Sequence, residues 1–472
     1  MVLSTKHYLL LILGLVATAL MVVFYEYSFF VVFGFLFLIV LGIDPWINLF
    51  VLMGVMCFDK AIPGIEVGPF SLAAMHILLL LVVFYQLLVL LNEPKVSFKF
   101  FNTPVYKLLL LFFLVSILSV AVAAHKIQSI RYIRDEFFWI LFGSYAIFQI
   151  DSFKKYRDVI QAWIWIGTIV TALGILQLFL NFDLYLWTGS TYHIPQDSHF
   201  FRITSTFRDP NFFANFLILP LCLGIARSLW EKETPKWNIG LMLLALILTN
   251  SRGGLLAVFI GGVILYSLRY EREKLFTRLV MLFFIVAVSA VVIFQFLPSG
   301  FKERMFLESS KADWSSIVRV LYIVATIKMI LANPIFGVGI ANSPLVIKNY
   351  APPVVVTYLR LDKPEEALGG GYTHNTFLQL WAETGILGAL IMIAFLMLTF
   401  YYILRVRKLY KQGRLSGHQI FVFLGMLVGF LALMIHELTI TELTYHTFFT
   451  FGMVSLVHKF LFEGDLTHPT KI

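Results

Sequence analysis

Apolar runs recur along the chain at 8–25, 28–42, 46–58, 70–91, 105–124, 132–150, 158–180, 211–228, 237–250, 253–268, 278–297, 375–404, 417–437 and 443–462, separated by polar or basic breaks. A helix needs about 17–25 residues to cross a bilayer, and most of these runs reach that length. The runs at 46–58 and 237–250 are short, so the pattern predicts an all-α polytopic bundle of about 12 to 14 spans. Either even number leaves both termini on one side. The N-terminal run, entered from Lys6, has no clear small-residue cleavage site and reads as a first span. No internal repeat is evident, and the paired broken helices of an inverted-repeat transporter are not seen.

The breaks differ in charge. One alternate set carries Lys154, Lys155 and Arg157; Arg227, Lys232 and Lys236; Arg269, Arg272, Lys274 and Arg278; and Arg405, Arg407, Lys408, Lys411 and Arg414. Short basic loops stay in the cytoplasm, which puts both termini there. The opposite side receives the long connections 181–210 and 298–373. The second is too long for a simple link. It holds Trp314, a helix candidate at 315–332, a turn at Pro334–Gly339 and a possible hinge at Gly369, Gly370 and Gly371. The helix candidate contains Arg319 and Lys328. Were it to span, the basic 405–414 segment would fall outside, so it is read as interfacial or packed on the bundle. Four regions follow: N-terminal transmembrane helices over 1–200, central helices with arginine motifs over 201–297, an extracytoplasmic cap over 298–373, and C-terminal helices over 374–472.

Composition narrows the function. The chain is 60% hydrophobic and 13% charged, against about 25% charged in an average soluble domain. That excludes a soluble enzyme, a nucleic-acid-binding protein and a disordered chain. The 36 basic and 27 acidic residues leave +9, an excess that topology explains without nucleic acid. Cys57 and Cys222 lie in apolar runs, so no disulfide framework or metal cluster is expected.

Polar groups beside spans are functional candidates, and four clusters fall on the predicted outer side. Asn250-Ser251-Arg252-Gly253-Gly254 interrupts two apolar runs; Arg252 is either a snorkelling anchor or a ligand-binding cation. Arg319 and Tyr322 share a helical face, ahead of Asn333-Pro334-Ile335-Phe336-Gly337-Val338-Gly339; Arg319 is either solvated or functional. Tyr372-Thr373-His374-Asn375-Thr376-Phe377-Leu378 leads into Trp381-Ala382-Glu383-Thr384-Gly385. Thr373 or Asn375 can cap the helix, which sets His374 at a helix N-terminus. The dipole there favours a neutral imidazole, so His374 is either an interfacial hydrogen-bonding group or a general base. Glu383 falls on the opposite helix face from His374 and reads as structural. Last, Arg202 and the Ser205-Thr206-Phe207-Arg208-Asp209-Pro210-Asn211 segment precede the run at 211–228, with Asp209 or Asn211 as cap and Arg208 paired with Asp209. Guanidinium groups bind phosphate oxygens bidentately. Several of them beside one uncharged base point to a diphosphate ester attacked by a hydroxyl. Neither D-x-D nor H-E-x-x-H, Walker-A or G-x-S-x-G sequences occur, and Asp59 and Glu66, isolated in an early outer loop, are weak metal candidates.

The ordered set R-x-x-S-T-F-x-D-P-N-x-x-A from Arg202 to Ala214, N-S-R-G-G at 250–254, Arg319 followed by M-I-x-x-N-P-I-F-G-V-G, and T-H-N-T-F-L-x-x-W-A-E-T-G at 373–385 resembles the O-antigen ligase and polymerase superfamily. The resemblance covers roughly residues 200–400. It implies a glycosyltransferase-C-like bundle in the bacterial cytoplasmic (inner) membrane. Its donor would be an undecaprenyl-diphosphate-linked glycan, used outside the cytoplasm with no cofactor, nucleotide sugar or metal. The acceptor would be a glycan, lipid or protein hydroxyl. By the same resemblance His374 matches the essential histidine, Arg252 and Arg319 match arginines that hold the diphosphate, and Arg202 matches a recurrent arginine. Tyr322 and Asn375 complete the expected substrate-binding set, and transfer would invert the sugar. Ser205 departs from the family, which often has glycine there. Within the superfamily a repeat-unit polymerase is the alternative to a ligase. Outside it, a transporter of lipid-linked sugar or a small anion competes, and one-sided clustering of the polar groups argues against a transport path. A scaffold in an export complex has no positive support.

Overall fold

The computed structural model describes residues 44–58, 65–67, 70–72, 74–92, 102–180, 202–207, 209–231, 236–270, 310–351, 371–440 and 445–462. The expected spans at 8–25, 28–42 and 278–297 lie outside them, as do Asp59, Arg208, Gly369 and Gly370. The described chain is an all-α polytopic helix bundle. Its helices are α1 (Pro45–Val55), α2 (Ala74–Asn92), α3 (Pro104–Ser119), α4 (Lys126–Gln149), α5 (Phe153–Leu180), α6 (Pro210–Trp230), α7 (Trp237–Leu248), α8 (Arg252–Arg269), α9 (Ser310–Ala332), α10 (Ser343–Val346), α11 (Thr376–Lys411), α12 (Gly417–His436) and α13 (Tyr445–Phe462). A small antiparallel hairpin of β1 (Ile65–Val67) and β2 (Phe70–Leu72) joins α1 to α2 and pairs Glu66 with Ser71.

Among the described residues, six segments are long and apolar enough to cross a membrane: Pro104–Val122, Phe153–Gln177, Pro210–Trp230, Arg252–Arg269, Thr376–Lys411 and Gly417–His436. Side chains such as Leu114, Leu118, Met397 and Phe400 point outward, as a lipid-facing surface requires. Helix starts follow local chemistry. Asp44, Thr103 and Asp209 each cap a helix whose first residue is proline, while Ser251, Asn375 and Ser416 cap by side-chain acceptance. Of the paired cap candidates, Asp209 and Asn375 take the role.

The helices α6 and α12 form the centre, with Gly425 and Gly429 of α12 against Leu223 and Leu219 of α6. Trp163 of α5 stacks on Phe449 of α13 at 4.8 Å. One end of the bundle is basic. There Arg269 donates to the Leu229 carbonyl at 3.0 Å, and His418 meets Glu231. Among the described residues, most cations at this end lie within helices and not in the loops that the sequence pattern implied. Lys154, Lys155 and Arg157 belong to the start of α5, Arg227 and Arg269 to the last turns of α6 and α8, and Arg405 to Lys411 to the end of α11. The helices outrun their apolar stretches, and cations at the C-termini of α6, α8 and α11 also complement the helix dipole.

The opposite end holds an interlock around a break in α11. Gly385 has φ 68° and ψ −164°, so the helix is interrupted there. The loop after α9 fills the break: Val338 N–H donates to Ala382 O at 2.8 Å, Gly339 N–H to Glu383 O at 3.0 Å, and Ile386 N–H to Pro334 O at 3.0 Å. The buried Glu383 carboxylate accepts from Ala341 N–H at 2.9 Å, Ser343 Oγ at 2.6 Å and Gln379 Nε2 at 3.1 Å. The same loop is tied to the α3–α4 turn. Ser129 Oγ donates to Ile340 O at 2.7 Å, Asn342 Nδ2 to Ser129 Oγ at 2.7 Å, and His125 N–H to Asn342 Oδ1 at 2.7 Å. Helix α9 thereby lies along the first turns of α11, with Tyr322, Ala325, Met329 and Ile330 against Ala382.

A Cβ on Gly385 would stand 1.9 Å from Ile335 O, and its backbone region, open essentially to glycine alone, costs any other residue a further ~1–3 kcal/mol. Gly385→Ala should therefore remove the folded, monodisperse protein from detergent extracts. Gly262→Ala, where nothing lies within 4 Å, should leave the yield and melting temperature unchanged or slightly raised. Equal behaviour of the two variants in size-exclusion and melting assays would contradict the interlock.

Candidate active site

Among the described residues, four that are not glycine have positive φ: Ser205 (53°), Asn250 (52°), Ala341 (57°) and His374 (54°). All four sit at the interlocked end, and each turns the chain just before a helix start. Asn250, Ala341 and His374 directly precede the N-cap residues Ser251, Asn342 and Asn375. Such conformations cost energy and persist where surrounding structure fixes them, often at functional sites.

His374 is half-buried. The Tyr322 ring stands 6.3 Å away, edge-on at 75°. Thr326 and Thr373 share a hydrogen bond at 2.8 Å, which fixes α9 to the residue before the histidine. Arg319, one turn before Tyr322 and exposed, acts electrostatically on the imidazole, as does the Asp209 carboxylate from α6. Burial and the Arg319 charge hold the His374 pKa below the ordinary histidine value, and Asp209 opposes them. The imidazole is therefore neutral at neutral pH, as a general base must be. Asn375 is engaged as the cap of α11, accepting from Leu378 N–H at 3.0 Å; its side chain is a structural group here.

Arg252 is the first residue of α8 and is exposed at the same end. Arg202 is held by its surroundings: Nε donates to Thr249 O at 2.7 Å and Nη2 to Asn211 Oδ1 at 3.2 Å. It thus clamps the chain before α6 to the end of α7. Tyr322 by ring contact, and Arg319 and Asp209 by their charges, bear on His374, while Arg252 starts α8 at the same end of the bundle. Glu383 faces the loop at 341–343, away from His374. An open cleft of ≈ 410 Å³ lies beside the interlock, lined by Val122, Asn333, Phe336 and Tyr350 among others; the histidine and the arginines are not in its wall.

Two ionisable groups escaped the sequence reading. Arg131, Arg134, Asp135 and Glu136 occupy the first half of α4, with Asp135 3.5 Å from His76 and Glu136 fully buried beside Ser116. The string R-x-x-R-D-E at the head of an apolar run was the available signal. His436 and Glu437, both fully buried, end α12 at the interlocked end of the bundle. Among the described residues no group of three His, Cys, Asp or Glu side chains is placed to hold a metal.

Residues 237–393 match the family model described as O-antigen ligase. That segment, about a third of the chain, is similar to the O-antigen ligase family. A search of curated proteins returns no match. The matching segment contains Arg252, Arg319, Tyr322, His374 and the whole interlock, while Arg202 and Asp209 lie before it. Its relatives are membrane glycosyltransferases of the ligase and polymerase type. The serine that departs from the family is explained by its backbone. At φ 53° glycine is the natural occupant. Ser205 is instead secured by Oγ donating to Val170 O at 2.5 Å, its N–H to Gln177 Oε1 at 2.8 Å, and its carbonyl accepting from Gln177 Nε2 at 2.7 Å.

The electrostatic pair around His374 makes a signed prediction. Asp209→Asn keeps a competent cap but removes the anion, so the His374 pKa should fall further. Arg319→Gln removes the cation, so it should rise. The pH dependence of His374 modification by diethyl pyrocarbonate, read by mass spectrometry, should shift in opposite directions; shifts of the same sign would refute the arrangement.

Proposed function

We propose that the protein transfers a glycan from an undecaprenyl-diphosphate carrier to an acceptor hydroxyl at the extracytoplasmic face of the bacterial inner membrane. The observation that carries this reading is the meeting of His374 with Arg319 and Tyr322 inside the segment that matches the O-antigen ligase family. The basic end of the bundle faces the cytoplasm, both termini lie there, and the interlocked end faces out.

In the proposed reaction Arg252 and Arg319 bind the diphosphate, and Arg202 shapes the chain beside them. Tyr322 and the Asn375 turn line the approach to the sugar. The acceptor hydroxyl gives its proton to the free imidazole nitrogen of His374 as its oxygen attacks the anomeric carbon. The bond from that carbon to the diphosphate oxygen breaks, and its electron pair leaves with the diphosphate. The arginines stabilise that developing charge. A single displacement inverts the anomeric centre. The neighbouring Asp209 offsets the positive charge that the imidazole acquires. Membrane lipids surround the bundle, whose apolar exterior suits the polyprenyl chain.

A ligase and a repeat-unit polymerase share this chemistry and differ in the acceptor, so both acceptor types belong in the assay. With purified protein and a lipid-diphosphate-linked glycan, His374→Ala should lower transfer by at least ~10²-fold, the usual worth of a general base. Arg252→Ala and Arg319→Ala should each weaken donor binding by roughly 10- to 100-fold, as the loss of a charged hydrogen bond implies. Full transfer by His374→Ala would overturn the mechanism.

A further inference from the structure

The residues that carry Arg252 and His374 are joined by a chain of buried hydrogen bonds through the end of α12. Thr376, two residues after His374, donates its hydroxyl to Glu437 Oε2 at 2.5 Å and its N–H to Glu437 O at 2.8 Å. Glu437 Oε1 accepts from Asn215 Nδ2 at 3.0 Å. Asn215 Oδ1 and His436 Nδ1 lie 2.9 Å apart, and His436 Nε2 lies 3.3 Å from Ser251 Oγ. Ser251 is the cap of α8, one residue before Arg252.

With Glu437 as the carboxylate, the direction of each bond follows. A carboxylate only accepts, so the Asn215 amide must donate to it and its oxygen must face His436. That oxygen requires a proton on His436 Nδ1, which leaves Nε2 to accept from the Ser251 hydroxyl. All five residues are buried, so none can exchange its partner for bulk water without opening the bundle. Gly253 lies so close to this end of α12 that a Cβ would stand 3.1 Å from the His436 ring.

We propose that His436 and Glu437, acting through Asn215, are positioning residues that set the spacing of Arg252 and His374, and so present the diphosphate-binding cation and the base to one donor molecule. This inference rests on the glycosyl-transfer reading above. Neither residue touches substrate. A displacement of about 1 Å at a reacting group can cost a reaction about 10²-fold, so loosening one link should depress turnover while leaving the donor-binding arginines intact.

The test uses purified full-length protein, a lipid-diphosphate-linked glycan as probe, and turnover expressed per donor-binding site measured on the same preparation. Thr376→Val removes the hydroxyl at constant shape and should lower kcat about 10-fold or more with donor affinity within about threefold of wild type. Thr376→Ser should restore kcat. Glu437→Ala should lose more, and Glu437→Gln should recover most of it. The Gln amide oxygen can still accept from Asn215, and its nitrogen can donate to Thr376 Oγ1, whose proton then turns to Ile440 O at 3.0 Å. Wild-type kcat in Thr376→Val, or equal loss in Glu437→Gln and Glu437→Ala, overturns the proposal. His374→Ala is measured alongside: if it is active, the glycosyl-transfer mechanism fails, whereas an inactive His374→Ala with a wild-type Thr376→Val rejects the positioning relay alone.

Discussion

A membrane helix cannot leave its backbone groups unpaired, because lipid offers them no partner. The break at Gly385 creates that problem in α11, and the loop that follows α9 resolves it. Carbonyls of Ala382 and Glu383 are met by the N–H groups of Val338 and Gly339, and Ile386 N–H is met by the Pro334 carbonyl. Much else at this end depends on that exchange. It fixes the end of α9, so that Tyr322 reaches His374; it buries Glu383 as the acceptor for the loop at 341–343; and it ties the cap to the α3–α4 turn. The arginine on α9 and the histidine before α11 are distant in sequence and meet because the break gives the loop a place to bind.

The second feature of this end is its strained entries. His374 and Asn250 are both left-handed, each immediately before a cap. A chain that turns so sharply into a helix projects its preceding side chain away from the helix axis. The neighbours of these residues, Ser251 and Thr376, are tied to His436 and Glu437 at the end of α12. The histidine thus stays out of the regular helix while remaining close to its positive dipole end, and Arg319 nearby reinforces its neutral form. The chemistry proposed for the site depends on that neutral form.

Much of this was legible in the residues. The apolar runs located the described helices, with ends shifted by a few residues where charged side chains continue the helix, as at Lys154 and Arg405. Asp209 and Asn375 were among the cap residues named, whereas the caps at Asp44, Thr103, Ser251 and Ser416 were not. The opposed faces of His374 and Glu383 followed from helical periodicity and separate them in the fold. What the residues did not disclose is long-range. The pairing of N-P-I-F-G-V-G with W-A-E-T-G is a backbone interaction between motifs that are forty or more residues apart, and no side-chain pattern announces it. The charges at the head of α4 and the His436–Glu437 pair were present as strings, but their burial is decided by neighbours from other helices. Ser205 looked like a departure from family habit and is a residue in a glycine-like conformation held by Gln177.

In the proposed reaction Arg252, Arg319 and His374 serve one substrate at the interlocked end. An electron cryo-microscopy structure of the protein with a non-transferable polyprenyl-diphosphate sugar tests it most directly. The diphosphate should lie between the Arg252 and Arg319 guanidinium groups, with the His374 imidazole facing the anomeric carbon from the side opposite the leaving oxygen. A diphosphate bound at the basic end of the bundle, or held at the interlocked end by neither arginine, would contradict it.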